Sequence, residues 1–97
     1  MDGNFPAVGV QANLVSLLYQ SRATVNFDHH LLENLVTGSR IRNHEQDVTG
    51  ALYFERGRFM QWLEGPAPTI SRLFGKIGHD RRHKDVEVLS FGRSTQR

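Results

Sequence analysis

The apolar residues of this chain fall into short blocks of differing period. Leu14 to Tyr19 (LVSLLY) is a nearly continuous apolar run closed by the polar Gln20, Ser21 and Arg22, a pattern that suits a central strand covered on both faces. Beyond it the period becomes helical. Leu31, Leu32, Leu35, Val36 and Ser39 follow two candidate N-caps, Asn26 and Asp28, which predicts a helix from about Phe27 to Arg42. Gly38 interrupts that pattern. A glycine inside a helix costs about 1 kcal/mol against alanine, so its presence implies a close approach to the backbone, and Gly38 followed by Ser39 would leave room for a flat ligand.

Val48 to Glu55 and Arg58 to Leu63 read as two strands joined by Arg56-Gly57, a two-residue connection that signals a hairpin. Glu64-Gly65-Pro66 stops the second strand. Pro68 or Thr69 then opens a helix through Ile70, Leu73, Phe74 and Ile77, weakened by Gly75 and Gly78. The cluster from Asp80 to Asp85 reads as a solvated connection, after which Val86, Val88 and Ser90 alternate with Glu87, Leu89 and Phe91 as a last strand. Met1 to Asn13, with Gly3, Pro6 and Gly9 and no period, is expected to be a flexible lead-in. The order β-α-β-β-α-β is the split βαβ pattern of α+β, ferredoxin-like sheets with two helices on one face. Such a fold serves many unrelated functions, so the side chains must narrow the choice.

Composition narrows it a little. An apolar share of 38% in 97 residues supports one modest core and a single domain. The 12 Lys and Arg are interspersed with 10 Asp and Glu, for a net charge of +2, so charge alone gives no reason to expect nucleic acid as a partner. With no cysteine there is neither a disulfide nor a thiolate metal site, which is compatible with a reducing cytoplasm. No apolar run nears the roughly 18 residues of a membrane span, and no basic and apolar leader opens the chain. A soluble, cytoplasmic protein without a membrane partner is expected. His79 and His83, four apart around Asp80, are too few ligands for a metal site.

Four stretches, in order, carry a resemblance. Leu17-Leu18-Tyr19-Gln20-Ser21-Arg22-Ala23, then Asn43 with Val48-Thr49-Gly50-Ala51-Leu52, then Gly57-Arg58-Phe59-Met60-Gln61-Trp62-Leu63-Glu64-Gly65, and lastly His79-Asp80-Arg81-Arg82-His83-Lys84-Asp85-Val86 resemble the BLUF family, sensors of blue light that use FAD. The likeness runs from Leu14 to about Phe91. It implies an FAD whose ring lies between the two helices against the sheet, with Tyr19 and Gln61 as the hydrogen-bonded pair that light rearranges. It implies Asn43 at the polar edge of the ring, and Ser39, Arg42, Lys76, Asp80, Arg82 and His83 among the contacts of the remaining ring edge, ribitol or phosphates. The expected role is a photoreceptor without enzymatic turnover, passing its state to an output domain or partner. The family also continues into a fifth strand. Nothing after Phe91 has that pattern, so the domain over 14–97 is expected to lack it, and an unpaired sheet edge favours a homodimer.

Each of these residues also has a plainer reading. Asn43 carries a donor and an acceptor that match adjacent N–H and C=O groups on a ring edge, yet Asn is also common where helices end. Tyr19 can give an electron and a proton to an excited flavin, or be an ordinary core tyrosine bonded to the backbone. Gln61 among Phe59, Met60, Trp62 and Leu63 would cost about 1–3 kcal/mol if buried without a partner, or could face water from an edge strand. Arg81, Arg82, His83 and Lys84 offer donors for a diphosphate or form a solvated face. Two rival functions share the fold. An acylphosphatase-like enzyme would use an Arg and an Asn, but Gln20 to Thr24 lacks the glycines of a phosphate-cradling loop. A nucleic-acid or protein-binding sheet would want exposed aromatics in a ribonucleoprotein motif, which Phe59, Met60 and Trp62 do not form.

Overall fold

The computed structural model describes residues 14–94, so the lead-in expected over Met1 to Asn13 lies outside the described residues. The elements are β1 (Leu14–Ala23), α1 (His29–Glu45), β2 (Thr49–Glu55), β3 (Arg58–Pro66), α2 (Ala67–Gly78) and β4 (His83–Arg93). They form one antiparallel sheet in the order β2-β3-β1-β4, the α+β, ferredoxin-like arrangement that the sequence predicts. No helix of the described residues is long and apolar enough to cross a membrane.

Pairing overrides local polarity at several boundaries. β1 continues through Gln20, Ser21 and Arg22 because both neighbours offer ladder partners there, Arg58 on β3 and Lys84 on β4. Leu17, Tyr19 and Ser21 are buried while the residues between them are only half-buried; β1 is central, but one face alone is fully covered. β4 likewise starts at His83, inside the charged cluster that reads as a solvated turn, since His83 pairs with Ala23. Along β4 the expected alternation breaks. Leu18 pairs with Ser90 but Tyr19 pairs with Val88, so Leu89 is an extra residue and Phe91 comes opposite Leu17. A bulge of this kind moves every later side chain by one position.

The helices are set by their ends. Asp28 stays extended (ψ 173) and accepts from Leu31 N at 2.8 Å, so α1 opens at His29 rather than Phe27. It runs to Glu45, one turn beyond the expected end, and Asn43 therefore sits within the last turn rather than after it. The Asn43 carbonyl accepts from Gln46 N at 3.1 Å and Val48 N at 2.8 Å, and Asp47 takes the left-handed conformation (φ 61) that turns the chain into β2. α2 starts at Ala67, not Pro68 or Thr69, with proline in its first turn where a missing N–H costs nothing. In the hairpin, Arg56 (φ 53) and Gly57 (φ 77) are both left-handed, as a type I′ turn demands.

The core lies between α2 and the sheet. Leu17, Tyr19, Val48, Leu63 and Ile70 are buried together, with Leu73, Phe74 and Ile77 packed against them; Ile70, Leu73, Phe74 and Ile77 form one helical stripe. α1 contains no buried residue. Leu63 is fully buried, so Leu63→Ala is expected to lower the unfolding free energy by about 2–5 kcal/mol, read as a fall in the urea midpoint at unchanged slope. A side chain at Gly50 would place its Cβ 2.5 Å from the Trp62 carbonyl oxygen on the neighbouring strand. Gly50→Ala should therefore cost about 1–3 kcal/mol by the same measurement, because backbone cannot move aside as a side-chain tip can.

Candidate functional site

A cleft of about 630 Å³, counting its open mouth, lies between the helices and the sheet. Tyr19, Leu52, Phe59 and Gln61 form its floor, from β1, β2 and β3. Leu35, Ser39, Arg42 and Asn43 of α1 form one wall, and Leu73 and Ile77 of α2 the other, with Phe27, Asp80, Arg82 and His83 completing the rim. Both helices line the same cleft over the sheet, which places them on one face of it. Leu35, Ser39 and Asn43 recur every four residues, so they share a stripe of α1. That stripe lines the cleft, and α1 has no buried residue among those described.

Tyr19 and Gln61 are direct register partners on the two central strands, and side-chain period two puts both on the helix side. They are 4% and 8% exposed. The Tyr19 hydroxyl donates to Gln61 Oε1 at 2.5 Å. Both plainer readings fail here: the phenol bonds a side-chain amide rather than backbone, and Gln61 belongs to an interior strand facing inward. Among the described residues no protein acceptor takes the Gln61 Nε2 hydrogens, although a buried amide left unpaired costs about 1–3 kcal/mol. A ligand carbonyl seated in the cleft would meet that need.

Burial pushes the Tyr19 phenol far above its ordinary range, and the negative charge of Asp80 adds to the shift. Asp80 itself is held down at about 2, chiefly by hydrogen bonds from Arg82; Arg82 Nη2 lies 2.5 Å from Oδ2, and Nε 2.9 Å from Oδ1. Arg82 thus spends part of its guanidinium on Asp80. Among the described residues Arg42 has only a long hydrogen bond, 3.5 Å to Ser39 Oγ. Its guanidinium fills the space beside Gly38, where an added Cβ would come within 3.1 Å of Nη1; the room that the sequence suggests for a flat ligand is taken by this side chain.

The structure thus brings Tyr19, Ser39, Arg42, Asn43, Gln61, Asp80, Arg82 and His83 to one cleft, and leaves Lys76 outside it. Both His83 ring nitrogens already have protein partners, Ser21 Oγ at 2.7 Å and the Ile77 carbonyl at 2.6 Å. Sequence reasoning misses the apolar lining. Phe27, just before the N-cap, meets Phe59 and Phe54 edge-on with centroids 5.1 Å and 5.8 Å apart; an aromatic at that position is the available signal, since such residues staple helix entries.

A flavin combines a flat apolar body with an edge of donors and acceptors, and a cleft of mixed apolar and polar lining, with a buried amide nitrogen that has no acceptor among the described residues and a half-buried asparagine, fits such a group. Comparison with known proteins agrees. Photoactivated adenylate cyclase subunit alpha of Euglena gracilis is 36% identical over 81 residues, 84% of this chain but 8% of that protein. The blue light- and temperature-regulated antirepressor BluF of Escherichia coli (strain K12) is 33% identical over 76 residues, 78% of this chain and 19% of that one. The chain therefore spans only a small part of the curated relatives it matches. Among solved structures, the dark state of the BLUF protein BlrB superimposes with a TM-score of 0.82 at 31% identity, covering 90% of this chain and 66% of BlrB. The family profile described as sensors of blue light using FAD matches residues 14–97, and with the cleft and its tyrosine–glutamine pair in view, the chain belongs to the BLUF family.

Proposed function

We propose that this chain is a cytoplasmic FAD-binding light sensor in which the Tyr19–Gln61 pair is the part that light changes, with no turnover of its own. The observation that carries the reading is the buried Tyr19 O–H to Gln61 Oε1 bond, with no protein acceptor for the Gln61 amide nitrogen among the described residues. When bound, the flavin supplies light absorption and, once excited, a strong one-electron oxidant. Tyr19 is the adjacent donor: its phenol can release an electron, and its hydroxyl proton then moves along the existing bond toward the amide oxygen. Gln61 answers by rearranging, because an amide has a donor end and an acceptor end and can exchange which one faces the phenol.

The remaining roles follow from place. Asn43 offers its amide to the ring edge, with Ser39 one turn before it on the same stripe of α1. Arg42, Arg82 and His83 border the cleft on the side of charge, and Asp80 keeps Arg82 oriented. Lys76 would meet only a part of the ligand that leaves the cleft. The sensed state passes to an output domain or a separate partner, as the cyclase and antirepressor names of the relatives suggest for those proteins. Pairing between copies at the β4 edge is one way to organise such an output.

Purified protein is expected to be yellow, with a flavin absorbance that shifts reversibly under blue light. Tyr19→Phe and Gln61→Leu should each keep FAD yet yield no shifted product; a full photocycle in Tyr19→Phe would refute the mechanism. Asn43→Ala should weaken FAD retention by about 2–10-fold in equilibrium dialysis, the worth of one or two neutral hydrogen bonds.

A further inference from the structure

His83 is a cleft residue with no nitrogen to spare. Its Nε2 lies 2.6 Å from the Ile77 carbonyl at the end of α2. A carbonyl only accepts, so Nε2 carries a hydrogen, and in the neutral ring Nδ1 accepts from the Ser21 hydroxyl at 2.7 Å. Ser21 is 2% exposed on β1 and bonds no other side chain among the described residues. One imidazole thus ties together β1, the end of α2 and the start of β4. Its ring also stands edge-on to two floor residues, 6.4 Å from Tyr19 and 6.3 Å from Phe59 between centroids, while Phe74 of α2 meets the Tyr19 ring at 5.6 Å.

Ser21 lies two residues from Tyr19, on the same face of the same strand. Whatever fixes Ser21 to α2 therefore fixes the distance between the Tyr19 ring and the helix that packs on it. We propose that His83 is a positioning residue: the Ser21–His83–Ile77 bridge locks α2 to β1 and holds the Tyr19 ring at the angle from which its hydroxyl reaches Gln61. His83 acts through Tyr19 and spends its polar atoms on the protein, not on a ligand. The consequence for sensing rests on the function proposed above; the positioning itself does not.

The test uses flavin-free protein isotope-labelled at the ring carbon that bears the tyrosine hydroxyl. There are two tyrosines in the chain, and exposed Tyr53 serves as the internal reference. Ser21→Ala removes one arm of the bridge without touching the cleft lining, His83→Phe removes both arms but keeps a ring, and His83→Gln can still donate and accept. Ser21→Ala and His83→Phe should move the Tyr19 resonance and speed its ring flips several-fold with Tyr53 unchanged, and His83→Gln should restore most of the wild-type signal. After loading with FAD, Ser21→Ala should bind within about twofold of wild type but lengthen the flavin fluorescence lifetime several-fold, because quenching by the phenol needs its held position. An unmoved Tyr19 resonance in folded Ser21→Ala, or a His83→Gln protein no better than His83→Phe, would overturn the proposal. If His83→Phe does not fold, Ser21→Ala decides alone. Failure of the light-sensor reading looks different: wild-type protein would not retain FAD, while the tyrosine resonances would still report on the bridge.

Discussion

The hydrogen bond between Tyr19 and Gln61 is the constraint around which the rest of the domain is arranged. It joins two buried polar groups on adjacent interior strands, where neither could be left alone without a cost of about 1–3 kcal/mol. Its existence depends on register. A slip of one residue between β1 and β3 would send one partner to the opposite face; the end of β1 is tied to the left-handed Arg56-Gly57 turn, where Ala23 N donates to the Gly57 carbonyl at 2.7 Å. The turn of the hairpin thus supports the site, although Arg56 and Gly57 do not line the cleft.

The two helices divide the remaining work unequally. α2 presents a continuous apolar stripe and provides the core together with Leu17, Val48 and Leu63. α1 is held mainly by its ends, the Asp28 cap and the Asn43 carbonyl that receives two backbone N–H groups. Its inner stripe lines the cleft, where a cofactor would cover it. A helix that surrenders its packing surface to a cofactor is stabilised by that cofactor through mass action, so the apolar wall of the cleft is also where folding and binding are coupled.

Much of this was legible in the sequence, and the parts that were not share a cause. Element order, both helices, the hairpin and the pairing of Tyr19 with Gln61 follow from period, turn residues and motif likeness, all of which are local or nearly so. The reading failed where a distant partner decides. Gln20 to Arg22 read as the end of a strand, yet ladder partners on both sides extend it to Ala23. The start of β4 at His83 is hidden for the same reason, and the bulge at Leu89 leaves no trace in composition. Gly38 invited a ligand on propensity grounds, whereas the nearest claimant is Arg42, one turn along the same helix. His83 was legible as a cleft residue from its motif, but its two partners, Ser21 and Ile77, are visible only in three dimensions.

Electrostatics then limits how the central bond can change. Burial and the charge of Asp80 both oppose ionisation of Tyr19, and Arg82 favours the charged form of Asp80 by binding it, so the site favours the protonated phenol. A protonated phenol donates to the amide oxygen it faces, while its own oxygen can still accept from the donor end of an amide. Loss of the hydroxyl proton would leave the phenol able only to accept, and burial with the charge of Asp80 opposes that loss. Removal of an electron from the ring would make the hydroxyl strongly acidic, and once its proton had left, the oxygen could only accept and would favour the donor end of the amide. The burial that makes Tyr19 a poor acid in the dark is thus what reserves the switch for an oxidant placed beside it.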